Sequence, residues 1–326
     1  MRLITSRSLV QIQPPLPSKK ILMVEISIIV PAYNERENIP DLLAETYRMM
    51  GDSKLKCELI LVDDGSADET YKEACRLKKK YRFLKILRHK RNFGKTEAIL
   101  TGLDASKGKL IILLDADLQY SPSCIPTLVA HLKTGFDIVT GWKTGKYEKR
   151  FTSSVYNFLS RKLFSIPIHD QNSIKVLKRE VLEDIPLRKD WHRYIVALAY
   201  DRGYKISEVK VKLHPRKYGT PKYSRAGRII VGVLDLLSVK FQISFSKKPL
   251  LLFGTIGGSL LLIGFILGVV AIILRVFYHH GFRPVLYLII LLILAGLSLF
   301  AIGFIVEAIA ALGERLTHFE RRVKNI

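Results

Sequence analysis

"IILLDADLQYSPS", Ile111 to Ser123, carries the reading of the fold. Four apolar residues run without a break into Asp115 and Asp117, with only Ala116 between them. A short, continuously apolar run predicts a strand covered on both faces, as in a parallel sheet. Charges paired at the end of such a strand require something positive to neutralise them, and they mark the strand end as a place where chemistry can be done.

The same pattern repeats upstream. "ISIIVPAYN" (26–34) reads as a buried strand, "NIPDLLAETYRMM" (38–50) as an amphipathic helix, and "CELILVDDGS" (57–66) as the next strand. A charged helix is expected over Asp68–Tyr81, a strand at "LKILRH" (84–89), a helix at "GKTEAILTGLDAS" (94–106), and the fourth strand at "KLIILLDAD" (109–117). Strand-length apolar runs alternating with helices predict right-handed βαβ units, hence an α/β fold with a mostly parallel sheet. Ligands of such sheets lie beyond the carboxyl ends of the strands. Glu35, Asp63, Asp64, Asp115 and Asp117 all follow strand ends, so they are expected to face one crevice. No Walker loop or glycine-rich dinucleotide fingerprint is present, which argues against an NTPase or a dehydrogenase.

Composition adds a second partner. The chain has 326 residues and a formal net charge of +23, from 52 Lys and Arg against 29 Asp and Glu. That excess points to nucleic acid, an acidic membrane surface or phosphorylated substrates. No nucleic-acid-binding module or aromatic stacking platform is recognisable, so nucleic acid is set aside. Cys57, Cys75 and Cys124 form neither a zinc pattern nor a disulfide framework and are expected to be small core residues.

Residues 249–274 and 284–306 contain no charge, and each stretch reaches the length of about 20 residues that spans a bilayer as a helix. The link "RVFYHHGFRP" (275–284) suits a hairpin. Basic flanks, "SFSKKP" before the first stretch and "ERLTHFERRVKNI" after the second, favour both termini on the cytoplasmic side. The segment 225–248 alternates basic and apolar residues and is expected to form amphipathic helices at the membrane interface. Gly264-x-x-x-Gly268 and its neighbouring glycines predict close helix packing, within the hairpin or between protomers. Residues 1–24 are expected to be a flexible basic arm, with Met23 a candidate start, residues 25–224 the soluble domain, 249–312 the two spans, and 313–326 a basic tail.

Asp115-Ala-Asp117 is read as two carboxylates on one side of an extended segment, hard oxygen ligands suited to Mg²⁺ or Mn²⁺ bridging a diphosphate. "VPAYNERENI", "LVDDGSADET", "NFGKTEAILTG" and "LLDADLQYSP", in this order, resemble the nucleotide-sugar half of family 2 glycosyltransferases, which have the GT-A fold. The resemblance extends over residues 26–223 and is nearer to the polyprenyl-phosphate glycosyltransferases, the group of dolichol-phosphate mannose synthase and undecaprenyl-phosphate glucosyltransferases. It implies that Pro31, Tyr33, Glu35, Val62 and Asp64 hold the nucleoside, with Asp63 able to accept a further hydrogen bond from it. Asp115 and Ala116 would contact the nucleotide-sugar, and Asp117 and Gln119 would hold the metal. Lys143, Arg150, Arg193, Arg216 and Lys222 fall where the group binds the acceptor phosphate, although Pro221 replaces the usual serine beside Lys222. Asp170 matches the acid that approaches sugar or acceptor, and a positioning role is expected for it because a phosphate acceptor is already anionic. Relatives commonly have glycine then an aromatic or apolar residue where this chain has Ile174 and Lys175.

The implied activity is inverting transfer of a hexose from a UDP- or GDP-sugar to a polyprenyl phosphate. The readings beside it are a transferase using another membrane lipid and a non-catalytic membrane adaptor. A processive polysaccharide synthase is disfavoured, since the Gln-x-x-Arg-Trp signature is absent.

Overall fold

The computed structural model describes residues 24–145, 160–218, 236–241, 249–279, 281 and 283–324. They fall into two units, the first comprising the described residues up to 145 together with 170–195 and 204–218.

The first unit is built on seven strands: β1 (Ile26–Ala32), β2 (Cys57–Asp63), β3 (Leu84–Arg88), β4 (Leu110–Leu113), β5 (Ile138–Thr144), β6 (Lys175–Lys178) and β7 (Ile206–Lys212). They form one sheet in the order β3-β2-β1-β4-β6-β5-β7. Every strand but β6 runs the same way; β6 is antiparallel to both β4 and β5. Its first residue, Lys175, therefore lies opposite Leu113, the last residue of β4. The start of β6 thus joins the edge at which the parallel strands end.

Helices α1 (Ile39–Ser53), α2 (Thr70–Lys78), α3 (Lys95–Ala105), α4 (Ile125–Leu132) and α5 (Arg179–Asp184) belong to the same unit. α1 buries Ile39, Leu42, Leu43, Thr46 and Met49, a single stripe at helical spacing. Ile28, Ile29 and Val30 of β1 are fully buried, as a central strand covered on both faces requires.

Two boundaries differ from expectation for visible reasons. α2 begins at Thr70 rather than Asp68: the Asp68 carboxylate accepts the Thr70 backbone N–H at 2.9 Å, a local side-chain turn that holds Asp68 outside the helix. β4 ends at Leu113, and Ala116 and Asp117 lie in a turn with Leu118 at φ 56°. Asp117 therefore sits on a turn rather than on the extended segment expected for both acids, and the two meet different partners. The cysteine expectation holds for Cys57, which is buried; Cys124 is half-buried and Cys75 is exposed on the outer face of α2.

In the second unit, α7 (Pro249–Tyr278) and α8 (Arg283–Lys324) are an apolar pair. (α6, Ile195–Asp201, lies at the boundary between the units.) Two stretches, Pro249–Tyr278 and Arg283–Gly313, are long and apolar enough to cross a membrane. The pair packs through glycine: a Cβ on Gly257 would lie 2.7 Å from the Gly296 carbonyl oxygen, and one on Gly264 would lie 3.1 Å from Ile293. Gly268 is in looser contact with Ile289, and Gly258 faces open space. The Glu307 carboxylate of α8 accepts the Leu250 backbone N–H at 3.1 Å, satisfying a donor at the start of α7. Of the segment 225–248, only 236–241 is described; it is helical, with Leu237 and Phe241 exposed.

Candidate active site

The turn after β2 is a clamp. Asp64 Oδ1 accepts from His89 Nδ1 at 2.7 Å and from the Phe93 N–H at 2.9 Å, while Oδ2 accepts from the Gly94 N–H at 2.8 Å. Gly65 lies at φ 69°, and a Cβ there would be 2.4 Å from the Arg91 backbone, so only glycine lets the two loops approach. Asp63 is fully buried; it accepts the Ser66 N–H at 3.1 Å and lies 3.2 Å from Arg88 Nε as an ion pair without hydrogen-bond geometry. Glu35 accepts from Asn38 Nδ2 at 2.6 Å and lines a separate recess with Asn34, Arg36 and Asp68. Tyr33 is half-buried beside it in sequence, and Val62 is fully buried.

The acids therefore share one rim of the sheet but divide between places. Asp115 lines a cavity of about 180 Å³ with Pro31, Lys95, Ser173, Lys175, His192 and Arg193. Lys95 Nζ, from the start of α3, is 2.5 Å from Asp115 Oδ1. Burial opposes the charge on Asp115, but Lys95, with Lys175 and His192 beyond it, holds the carboxyl below its usual range. Its side chain keeps 45% of its surface accessible, open to a ligand in the cavity. His192 is held by Thr96 Oγ1, 3.0 Å from Nδ1. Burial first, then Lys95 and Arg193, push this imidazole well below its ordinary value, so it is neutral at pH 7.

Asp117 Oδ2 accepts from Arg216 Nη2 at 2.6 Å, and Oδ1 accepts the Gln119 N–H at 3.2 Å. Burial and then the charge of Asp115 raise the Asp117 carboxyl, against the pull of Gln119 and Arg216. Ala116 between the two acids is buried. The Gln119 carbonyl oxygen accepts the His214 N–H at 2.9 Å, tying this turn to the segment that carries Arg216.

Asp170 is buried and lies 3.0 Å from Lys143 Nζ, itself 14% exposed. Its Oδ1 accepts the Asn172 N–H at 3.0 Å, and its carbonyl oxygen accepts from Thr140 Oγ1 at 3.0 Å. Asp190 is exposed, at φ 64°. Arg150 and Lys222 lie outside the described residues.

Lys95, His192 and Lys175 were not expected in the site. Lys175 is 5% exposed; its ammonium donates to the Ser173 carbonyl oxygen at 2.9 Å. Burial and the neighbouring Lys95 bring its pKa down to about 8, which leaves it charged at pH 7. A lysine opening an otherwise apolar strand, "IKVL", was the available signal.

A divalent cation would find few protein ligands here: among the described residues no three His, Cys, Asp or Glu side chains cluster for one. Asp117 and Gln119 can supply hard oxygens from a single turn, and the repulsion between Asp115 and Asp117 is of the kind a cation relieves. Such a sparse oxygen set suits Mg²⁺ or Mn²⁺, which take their remaining ligands from phosphate and water.

A parallel sheet with carboxylates on the turn after its fourth strand, ringed by lysine, arginine and a neutral histidine, is the arrangement of a GT-A glycosyltransferase domain. The family model Glycosyl transferase family 2 matches residues 27–185. The chain is 33% identical over 309 residues to a dodecaprenyl-phosphate galacturonate synthase of Rhizobium johnstonii, covering 88% of each. It is 31% identical over 261 residues to an undecaprenyl-phosphate 4-deoxy-4-formamido-L-arabinose transferase of Proteus mirabilis, covering 78% of each. Among solved structures, glucosyl-3-phosphoglycerate synthase of Mycobacterium tuberculosis in complex with UDP has a TM-score of 0.55 at 20% identity, over 70% of this chain and 86% of that one. The same enzyme with Mn²⁺, UDP and phosphoglyceric acid has a TM-score of 0.51 at 20% identity, over 65% and 78%. This chain belongs to glycosyl transferase family 2, in its polyprenyl-phosphate glycosyltransferase group.

Proposed function

We propose that the protein transfers a hexose from a UDP- or GDP-sugar to the phosphate of a polyprenyl phosphate, with inversion, at the cytoplasmic leaflet. The observation that carries this is the pairing, on one rim, of an acidic segment (Asp115, Asp117) with partly buried cations from β5 and from the segments after β6 and β7 (Lys143, Arg193, Arg216). An acidic turn alone serves a metal-bound diphosphate; the cations supply what a second phosphate needs. The two relatives are named for polyprenyl-phosphate acceptors and for different sugars, so they support the acceptor and leave the sugar open.

In the reaction, a phosphate oxygen of the lipid attacks the anomeric carbon as the bond to the nucleoside diphosphate breaks. Asp117 and Gln119 would hold Mg²⁺ or Mn²⁺, whose chemistry is to neutralise the departing diphosphate. Arg216, oriented by Asp117, offers a planar cation toward phosphate oxygens. Lys143 and Arg193 receive the acceptor phosphate, aided by Arg150 and Lys222. Asp170, whose charge is matched by Lys143, positions that lysine; a phosphate acceptor needs no base to deprotonate it. His192, neutral, can orient a sugar hydroxyl without repelling the surrounding cations. The basic flanks of the apolar helices support a cytoplasmic site, and the segment 225–248 would lie at the headgroup level.

The test is incubation of the full-length protein with polyprenyl phosphate and a panel of radiolabelled nucleotide-sugars, followed by lipid extraction. Label in the lipid fraction, dependent on Mg²⁺ or Mn²⁺, is expected. Asp117→Asn should cut transfer by about 10²–10³-fold with the fold retained; wild-type transfer in that variant would remove the metal from the mechanism.

A further inference from the structure

One cation in the cavity has no carboxylate in ion-pair contact; Asp115 and Asp170 act on it only from farther off. Lys95 is matched by Asp115 and Lys143 by Asp170, but no carboxylate pairs with Lys175 among the described residues. The residue is 5% exposed, and among the described residues its ammonium hydrogen-bonds to the carbonyl oxygen of Ser173 and to no carboxylate. A charge buried without a counter-ion in contact is an unfavourable arrangement that a ligand of opposite charge would relieve. Arg193 adds positive charge to the same wall, and His192 is neutral, so the cavity carries a net excess of cations beside Asp115.

Place and shape narrow the ligand. Lys175 lies opposite Leu113 in the sheet, two residues before Asp115, and lines the cavity beside it. If Asp115 meets the nucleotide-sugar, as the proposed function holds, the group within reach of Lys175 belongs to the transferred sugar. A lipid-borne phosphate is bulkier, and Lys143, less deeply buried than Lys175, is the better placed to meet it. A carboxylate at the end of the sugar is compact enough to enter.

We propose that Lys175 selects an anionic donor: its ammonium receives the carboxylate of a nucleoside-diphosphate uronic acid, so the protein is a uronosyltransferase. This rests on the proposed function and specifies its donor class. A neutral hexose would leave the lysine buried and unmatched, which is the circumstance in which polar sites discriminate strongly.

The test uses the full-length protein, polyprenyl phosphate and matched donors: UDP-galacturonate against UDP-galactose, UDP-glucuronate against UDP-glucose, and the GDP-linked counterparts. In at least one pair the uronosyl donor should have a kcat/KM at least about 100-fold above its neutral partner. Lys175→Met should remove most of that advantage, leaving the neutral donor and the KM for lipid phosphate little changed; Lys175→Gln, closer in polarity, should do the same. Circular dichroism should show both variants folded. A wild-type preference for the neutral sugar, or an equal loss with both donors, would overturn the proposal. A raised KM for the lipid would assign Lys175 to the acceptor phosphate instead. Should no donor give transfer, the proposed function fails but the inference can still be read: calorimetry without lipid should show uronate preferred over hexose, and the preference lost in Lys175→Met. Equal affinities there would refute it.

Discussion

Asp64→Asn isolates the clamp after β2. The carboxylate accepts three hydrogen bonds, two through Oδ1 and one through Oδ2, and is 3% exposed. An asparagine can keep its oxygen at the Oδ1 position and retain the bonds from His89 and Phe93, weakened by loss of charge. Its amide nitrogen then faces the Gly94 N–H, a donor against a donor. Hydrogen bonds to a charged acceptor contribute roughly 1.5–3 kcal/mol each, and an abandoned buried donor costs about 1–3 kcal/mol. Together these give a destabilisation of about 2–4 kcal/mol. For a unit of this size each kcal/mol shifts Tm by about 2–4 °C, so a fall of roughly 4–16 °C is expected. Thermal unfolding of the detergent-solubilised full-length chain, followed by circular dichroism, is the assay. A fall below about 2 °C, with affinity for UDP or GDP reduced, would show that Asp64 serves the nucleoside and not the loop.

Lys143→Met should destabilise by about 3–5 kcal/mol by stranding the buried Asp170, and adding Asp170→Asn should recover most of that loss in denaturant titrations. In the helical pair, Gly257→Ala should lower stability in detergent by about 1–3 kcal/mol, since its Cβ meets the Gly296 carbonyl, while Gly258→Ala should be neutral; equal effects would sink the packing described. Lys175 gives a pH signature. Its pKa is lowered from 10.5 to about 8 on folding by burial and by Lys95 and Lys143, against Asp115 and Asp170. Between those values the unfolded chain holds the proton more tightly, so this group's contribution to stability rises with pH. Lys175→Met should therefore be more stable than wild type at pH 7, with the gap closing toward pH 10; a constant gap would show the lysine to be unperturbed.

The sheet was legible because β1, β2 and β4 are built on the unbroken apolar runs 28–32, 59–62 and 110–113, a pattern set by burial on both faces. The two apolar helices were legible for the same reason on a larger scale. Asp115 and Asp117 could be singled out because charge at the end of a buried strand is a local signal, whereas Arg193 and Arg216 came only from the resemblance of their segments to a family's. What sequence could not supply was partnership across the chain. Asp117 meets Arg216 and Thr96 meets His192 over separations of 99 and 96 residues. The sharing of one rim by Glu35, Asp64 and Asp115 was foreseen, but not their division, which depends on Asp64 being consumed by the backbone of Phe93 and Gly94. β6 was hidden too: two apolar residues between terminal lysines carry no clear period, and nothing local fixes a strand's direction.

That reversed strand has an evolutionary consequence. A parallel strand delivers only its exit to the ligand edge, so its loop there also has to lead into a helix. β6 delivers its entry, and the residues before it, 170–174, can change in character without disturbing the crossover of any βαβ unit. If Lys175 reads the donor as proposed, donor preference in such a scaffold can drift by substitution at this entry while the segment bearing Asp115 and Asp117 stays fixed. Related enzymes could thus diverge in the sugar they carry and still share one way of holding its diphosphate.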